Sequence, residues 1–74
     1  MQTRRCETLD EAMKGPMIEV RDGGNGSYML SRALTPDGSL LSGPFPSVAS
    51  AEQAGIEEAT RLNIEVLNIV HTRG

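Results

Sequence analysis

The apolar and polar positions change period along the chain, and the changes mark its elements. From Met17 to Arg21 the pattern alternates, with Ile18 and Val20 on one side and Glu19 and Arg21 on the other, which predicts a strand. Ser27 to Leu34 alternates again: Tyr28, Leu30 and Leu34 share a face interrupted by Arg32, and Met29, Ser31 and Ala33 share the other. Between them, Asp22-Gly23-Gly24-Asn25-Gly26 has the glycine and Asn content of a hairpin loop. Thr35-Pro36-Asp37-Gly38 fits a type I turn into a short third strand, Ser39 to Ser42, which Gly43 and Pro44 are expected to end.

The period then becomes helical. Val48, Ala51, Gly55, Ala59 and Leu62 fall on one stripe, with Ile56 at its edge. Ser47 or Ser50 serves as the N-cap, and Asn63 suits the left-handed residue that closes a helix. The stripe is built from small residues, so the helix is expected to lie close on a sheet; Gly55 gives up about 1 kcal/mol of helix propensity for that approach. Glu57 and Arg61 are spaced as an i,i+4 pair on the solvent side.

Ile64 to Val70 is the last predicted strand. Ile64, Val66 and Val70 are assigned to the face under the helix, and Leu67 and Ile69 to the opposite face. One helix covers one face, so residues 1–16 or a second copy must cover Leu67 and Ile69. In residues 1–16 the sequence predicts a tail or a short helix, capped by Thr8 with Glu11 three residues on and ended by Gly15-Pro16. The expected fold is therefore α+β. It comprises a three-stranded antiparallel meander, one packed helix (about 47–62) and a fourth strand (about 64–70) parallel to the first or third. Residues 17–70 form the single domain and 71–74 a C-terminal tail.

Composition narrows the functions. Seventy-four residues bury a small core, which raises the expectation of oligomerisation. Cys6 is the only cysteine, so no intrachain disulfide forms; Cys6 and His71 stand at opposite ends, which speaks against a metal site. The formal net charge is −3. Between Met17 and Val70, Arg21, Arg32 and Arg61 face seven acids, Glu19, Asp22, Asp37, Glu52, Glu57, Glu58 and Glu65. That balance, and only two aromatic residues, Tyr28 and Phe45, argue against nucleic acid as a partner. No apolar run reaches the length of a membrane span, and Met1-Gln2-Thr3-Arg4-Arg5-Cys6-Glu7 does not read as a signal peptide; the expected compartment is the cytoplasm.

Candidate chemistry is sparse. Cys6 lacks a positioned base, and a dyad with His71 would need the two ends to meet. Glu57 and Glu58 diverge by about 100° on a helix. The glycines from Gly23 to Gly26 precede a strand, whereas phosphate cradles open a helix. The chain reads as a non-catalytic interaction module, without cofactor, that binds a protein partner or itself through Leu67, Ile69 and Met29. A small enzyme using Cys6 or His71 is one alternative.

Two resemblances bear on this reading. Gly43-Pro44-Phe45-Pro46-Ser47 followed by Ala51, Ala54 and Ala59 resembles the strand-to-helix junction of SPOR peptidoglycan-binding domains and of small bacterial β-β-β-α-β domains of unknown function, over residues 40–70. The SPOR likeness implies the other alternative, a cell-wall ligand-binding domain using the face of Met29 and Ser31. The SPOR layout is a duplicated β-α-β, and a first helix of that kind is missing from the pattern. The element order is similar to a double-stranded RNA-binding domain, but that family's lysine-rich helix start falls here on Ala49, Ser50, Ala51, Glu52 and Gln53, without a lysine.

Overall fold

The structure, a computed structural model, describes residues 1–35 and 38–73. The turn expected at Thr35-Pro36-Asp37-Gly38 lies partly outside the described residues. Seven elements follow one another: β1 (Gln2–Cys6), α1 (Leu9–Ala12), β2 (Met17–Asp22), β3 (Tyr28–Thr35), β4 (Gly38–Phe45), α2 (Val48–Arg61) and β5 (Val66–Arg73). They form an α+β fold around one mixed five-stranded sheet in the order β1-β5-β2-β3-β4.

The meander is present as β2-β3-β4, antiparallel throughout. Its first hairpin closes as its composition requires. The Gly23 N–H donates to the Ser27 carbonyl (3.1 Å) and the Gly24 N–H to the Asp22 carboxylate (2.8 Å), while Gly24 and Gly26 take φ of +80°. β5 pairs parallel with β2, the first strand of the meander.

Three expectations are corrected. Residues 1–16 supply a strand as well as a turn of helix: β1 pairs parallel with β5 at the sheet edge. β5 runs on to Arg73, so residues 71–73 are sheet and no tail. β4 continues through Phe45 instead of stopping at Gly43-Pro44. The ladder absorbs one extra residue there, since Tyr28 faces Phe45 and Leu30 faces Ser42. Pro44 is tolerated because β4 is an edge strand.

The helices lie on opposite faces of the sheet. α2 covers Ile18, Val20, Leu30, Leu34, Leu67 and Ile69 with Ala51 and Ala59, joined at the margin by Tyr28, Phe45, Val48 and Ile56. Ser47 is the cap of α2: its hydroxyl accepts from the Ser50 N–H (3.1 Å), and Ser50 returns the bond to the Ser47 N–H. Asn63 closes the helix at φ 59°. Arg61 pairs with Glu58, not with Glu57 as its spacing suggested.

On the other face α1 covers a smaller cluster of Ala12, Met17 and Val70, flanked by Cys6 and Ala33. The Thr8 hydroxyl caps α1 by accepting from the Glu11 N–H (3.2 Å). Asn68 fastens its end: its backbone N–H donates to the Pro16 carbonyl (2.9 Å) and its side-chain amide to the Ala12 carbonyl (3.0 Å). Among the described residues, no helix is long and apolar enough to cross a membrane.

Candidate functional site

Leu67 and Ile69 are core residues, 0% and 2% exposed, and α2 is the element over them. The face assignment of β5 is thus inverted. Val70 points away from α2, into the cluster under α1, and Val66 is exposed. The reason is that β5 is an inner strand, apolar on both sides, so alternation alone cannot say which side meets α2.

Met29 lies on the α1 side of the sheet, beyond the reach of α1, beside the edge strand. It closes tightly on β4: a Cβ at Gly43 (φ +129°) would stand 2.9 Å from Met29 Sδ and 3.1 Å from the Tyr28 carbonyl. Next to it, β4 exposes Leu40 and Leu41 at 62% and 69%. Leu40 is opposite Arg32 and Leu41 opposite Ser31, so the two leucines project from opposite faces of the same edge strand. The sequence signal was two adjacent leucines in a strand, one of which must point away from α2.

In the same corner a small pocket of about 140 Å³ opens among Glu19, Arg21, Met29, Ser31 and Leu41. Glu19 is 6% exposed, although the alternation of β2 places it opposite the core residues Ile18 and Val20. Its carboxylate Oε2 accepts from the Thr72 hydroxyl (2.6 Å) and from the Arg21 guanidinium (3.3 Å). Thr72 was expected in a tail, so this partnership was not visible in the sequence.

Cys6 and His71 do not meet as a dyad. Cys6 is opposite Val70 in the β1–β5 ladder and joins the α1 cluster. His71, one residue on, faces α2, where its Nε2 meets the Glu52 carboxylate. Burial pushes the Cys6 thiol up from its ordinary value, and the neighbouring Glu11 carboxylate adds to the rise. A thiol so shifted is a weaker nucleophile at neutral pH.

Glu52 joins three elements. Arg5 on β1 grips it with two bonds, 2.9 and 3.0 Å, and His71 on β5 shares its Oε2. The Arg5 bond holds the Glu52 carboxyl below its ordinary value, against the opposing effect of partial burial. Glu58 is likewise lowered, chiefly by Arg61. Glu57 lies exposed beside Gln53, and Asp22 serves the hairpin. Asp37 is outside the described residues. Among the described residues, no three His, Cys, Asp or Glu side chains gather as a metal-holding group. The most distinctive surface is therefore the β3–β4 corner. Compared with family models, curated proteins and solved structures, the chain matches none.

Proposed function

We propose that this chain is a non-catalytic interaction module that self-associates through β4, two copies pairing their edge strands antiparallel across a two-fold axis. The observation that carries this reading is the pair Leu40 and Leu41, both more than half exposed, on opposite faces of an edge strand. Edge strands are ordinarily protected by charge, Pro or a bulge; β4 has Pro44 and the bulge at its far end, but Gly38 to Pro46 contains no charged residue. Antiparallel self-pairing therefore sets no like charges opposite one another, and it uses the same patch from both copies. Such a join would cover Leu40 on one face and Leu41 with Met29 on the other. It would extend a core that is small for a folded domain. The separation of Cys6 and His71 onto opposite faces supports the non-catalytic part.

Light scattering coupled to size exclusion at micromolar concentration tests the proposal. The expected mass is that of a dimer, and the Leu40→Lys, Leu41→Lys double variant is expected to run as a folded monomer with an unchanged circular dichroism spectrum. A monomeric parent chain across the concentration range would overturn it, as would a double variant that is folded and still dimeric.

A further inference from the structure

The pocket beside β4 has a composition that points to a ligand. Val70, Glu19, Ser31 and Leu41 stand side by side in register across β5, β2, β3 and β4. α1 covers the Val70 end of this row. The other end opens into the pocket of about 140 Å³. At about 30 Å³ per water, that space takes a group of four or five heavy atoms.

The Glu19 side chain is only 7% exposed, yet both of its bonds fall on Oε2. No described residue hydrogen-bonds its Oε1. Oε1 itself is not sealed from solvent, so it stands open to a donor at the pocket. Beside it the Arg21 side chain is 56% exposed and spends one N–H on Glu19, leaving others free. The Ser31 hydroxyl lines the same space, and Met29 and Leu41 supply apolar walls.

Charge selects among ligands. A cation would meet Glu19 favourably but be repelled by Arg21, and an anion the reverse. A neutral group with a donor and an acceptor side by side satisfies both at once. We infer that this corner is a binding site for a primary carboxamide, whose NH2 donates to Glu19 Oε1 and whose carbonyl accepts from Arg21, with its short alkyl end against Met29 and Leu41. All five lining residues belong to one copy, and the polar pair Glu19 and Arg21 sits on β2, two strands in from the β4 edge.

Three probes on the same three-carbon skeleton test it: propionamide, propionate and propylammonium, titrated into the ¹⁵N-labelled chain and followed by amide shifts. Propionamide is expected to saturate in the millimolar range and to shift residues 19, 21, 29, 31 and 41. Propionate and propylammonium should bind about tenfold more weakly or not at all. Arg21→Met, at an exposed position, leaves Glu19 without its cation and is expected to reverse the preference toward propylammonium. A glutamine-containing tripeptide and its glutamate counterpart identify the source: tighter binding of the glutamine peptide than of propionamide assigns the site to a side chain on a peptide, and weaker binding assigns it to a free small amide. Equal shifts with all three probes, no saturable shift, or an Arg21→Met variant with unchanged preference would each overturn the assignment.

Discussion

Gly55 on α2 lies flush against Ile18 on β2: a Cβ at position 55 would stand 2.7 Å from Ile18 Cδ1 and 2.9 Å from its Cγ2. This contact explains a helix that buries Ala51, Gly55 and Ala59 in place of larger side chains. It also sets two effects against each other. Gly55→Ala recovers about 1 kcal/mol of helix propensity. The added methyl overpacks a fully buried, β-branched neighbour that has few rotamers to escape into, at a cost of about 1–3 kcal/mol. Overpacking wins, because both close atoms belong to Ile18 and its Cγ2 sits one bond from Cβ. Gly55→Ala is expected to destabilise by about 1 kcal/mol, a fall in Tm of about 4–8 °C. Ile18→Val removes Cδ1, so the double variant should lose less than the two single changes together. Thermal unfolding of the four chains decides the matter, and a higher Tm for Gly55→Ala would refute the close packing.

Asn68 holds α1 to the sheet through a single side-chain bond to the Ala12 carbonyl, while its own Oδ1 is buried with no partner among the described residues. The amide is therefore half used. Asn68→Ala removes this donor and leaves the Ala12 carbonyl only the long bond from the Gly15 N–H (3.4 Å), with an expected cost of about 1–2 kcal/mol. The loss should be local first. Amide hydrogen exchange at residues 12, 13 and 15, whose N–H groups bond within this turn, is expected to accelerate more than exchange at β2 or β5. Uniform acceleration across the sheet would show that Asn68 serves the whole fold and does not merely fasten α1.

Local chemistry made α2 and the first hairpin readable from the sequence. Ser47, Asn63 and the Asp22–Gly26 loop act on neighbours a few residues away, and the sequence carries both partners. The sheet's outer parts were not readable in this way. Gln2-Thr3-Arg4-Arg5-Cys6 shows no apolar alternation, and β1 forms because β5 offers it a parallel edge, with the Gln2 N–H donating to the Glu65 carbonyl (2.9 Å). The faces of β5 are buried by α2 on one side and α1 on the other, which removes the cue for its faces and is why Leu67 and Ile69 were assigned to the wrong one. The candidate site was half visible. Met29 and Ser31 could be placed on their face by period two, whereas the burial of Glu19 depends on Thr72, 53 residues away. Leu40 and Leu41 were written in the sequence as an adjacent pair but lost significance once the strand was expected to end at Ser42.

Ser47 and Ser50 cap α2 reciprocally, each hydroxyl accepting from the other residue's backbone N–H. The two bonds are unequal in length, 3.1 Å to Ser47 and 3.3 Å to Ser50. Ser47→Ala leaves an N-terminal N–H of the helix uncapped and is expected to cost about 1 kcal/mol. Ser50→Ala removes the returning bond and the Ser50 hydroxyl's bonds to the Ser47 carbonyl (2.9 Å) and hydroxyl (3.1 Å), but should cost less, since the Ser47 hydroxyl still caps the helix and Ala is the better helix former. Chemical denaturation with unchanged m-values would confirm the order, and equal losses would contradict it.

Arg5, Glu52 and His71 tie β1, α2 and β5 together at one carboxylate, and this gives folding a pH dependence of fixed sign. The Glu52 carboxyl is held below its ordinary value of 4.5, first by the Arg5 bond. A carboxyl lowered in the folded state binds its proton more readily when unfolded, so stability rises with pH across the interval between the two values. The contribution is complete above the ordinary value and disappears as pH falls through the folded one. Glu52 is mostly enclosed, at 12% side-chain exposure, but Arg5 is 66% exposed, so solvent screening limits the pair to about 1 kcal/mol. Glu52→Gln is expected to be less stable than the parent by about that amount at pH 7, with the gap closing below the folded pKa. Arg5→Met should reproduce most of the effect, because Arg5 supplies the largest part of the shift. Urea unfolding of the three chains from pH 7 down to pH 3 measures it, and a gap that persists undiminished at pH 3 would show that Glu52 acts by packing and not by charge.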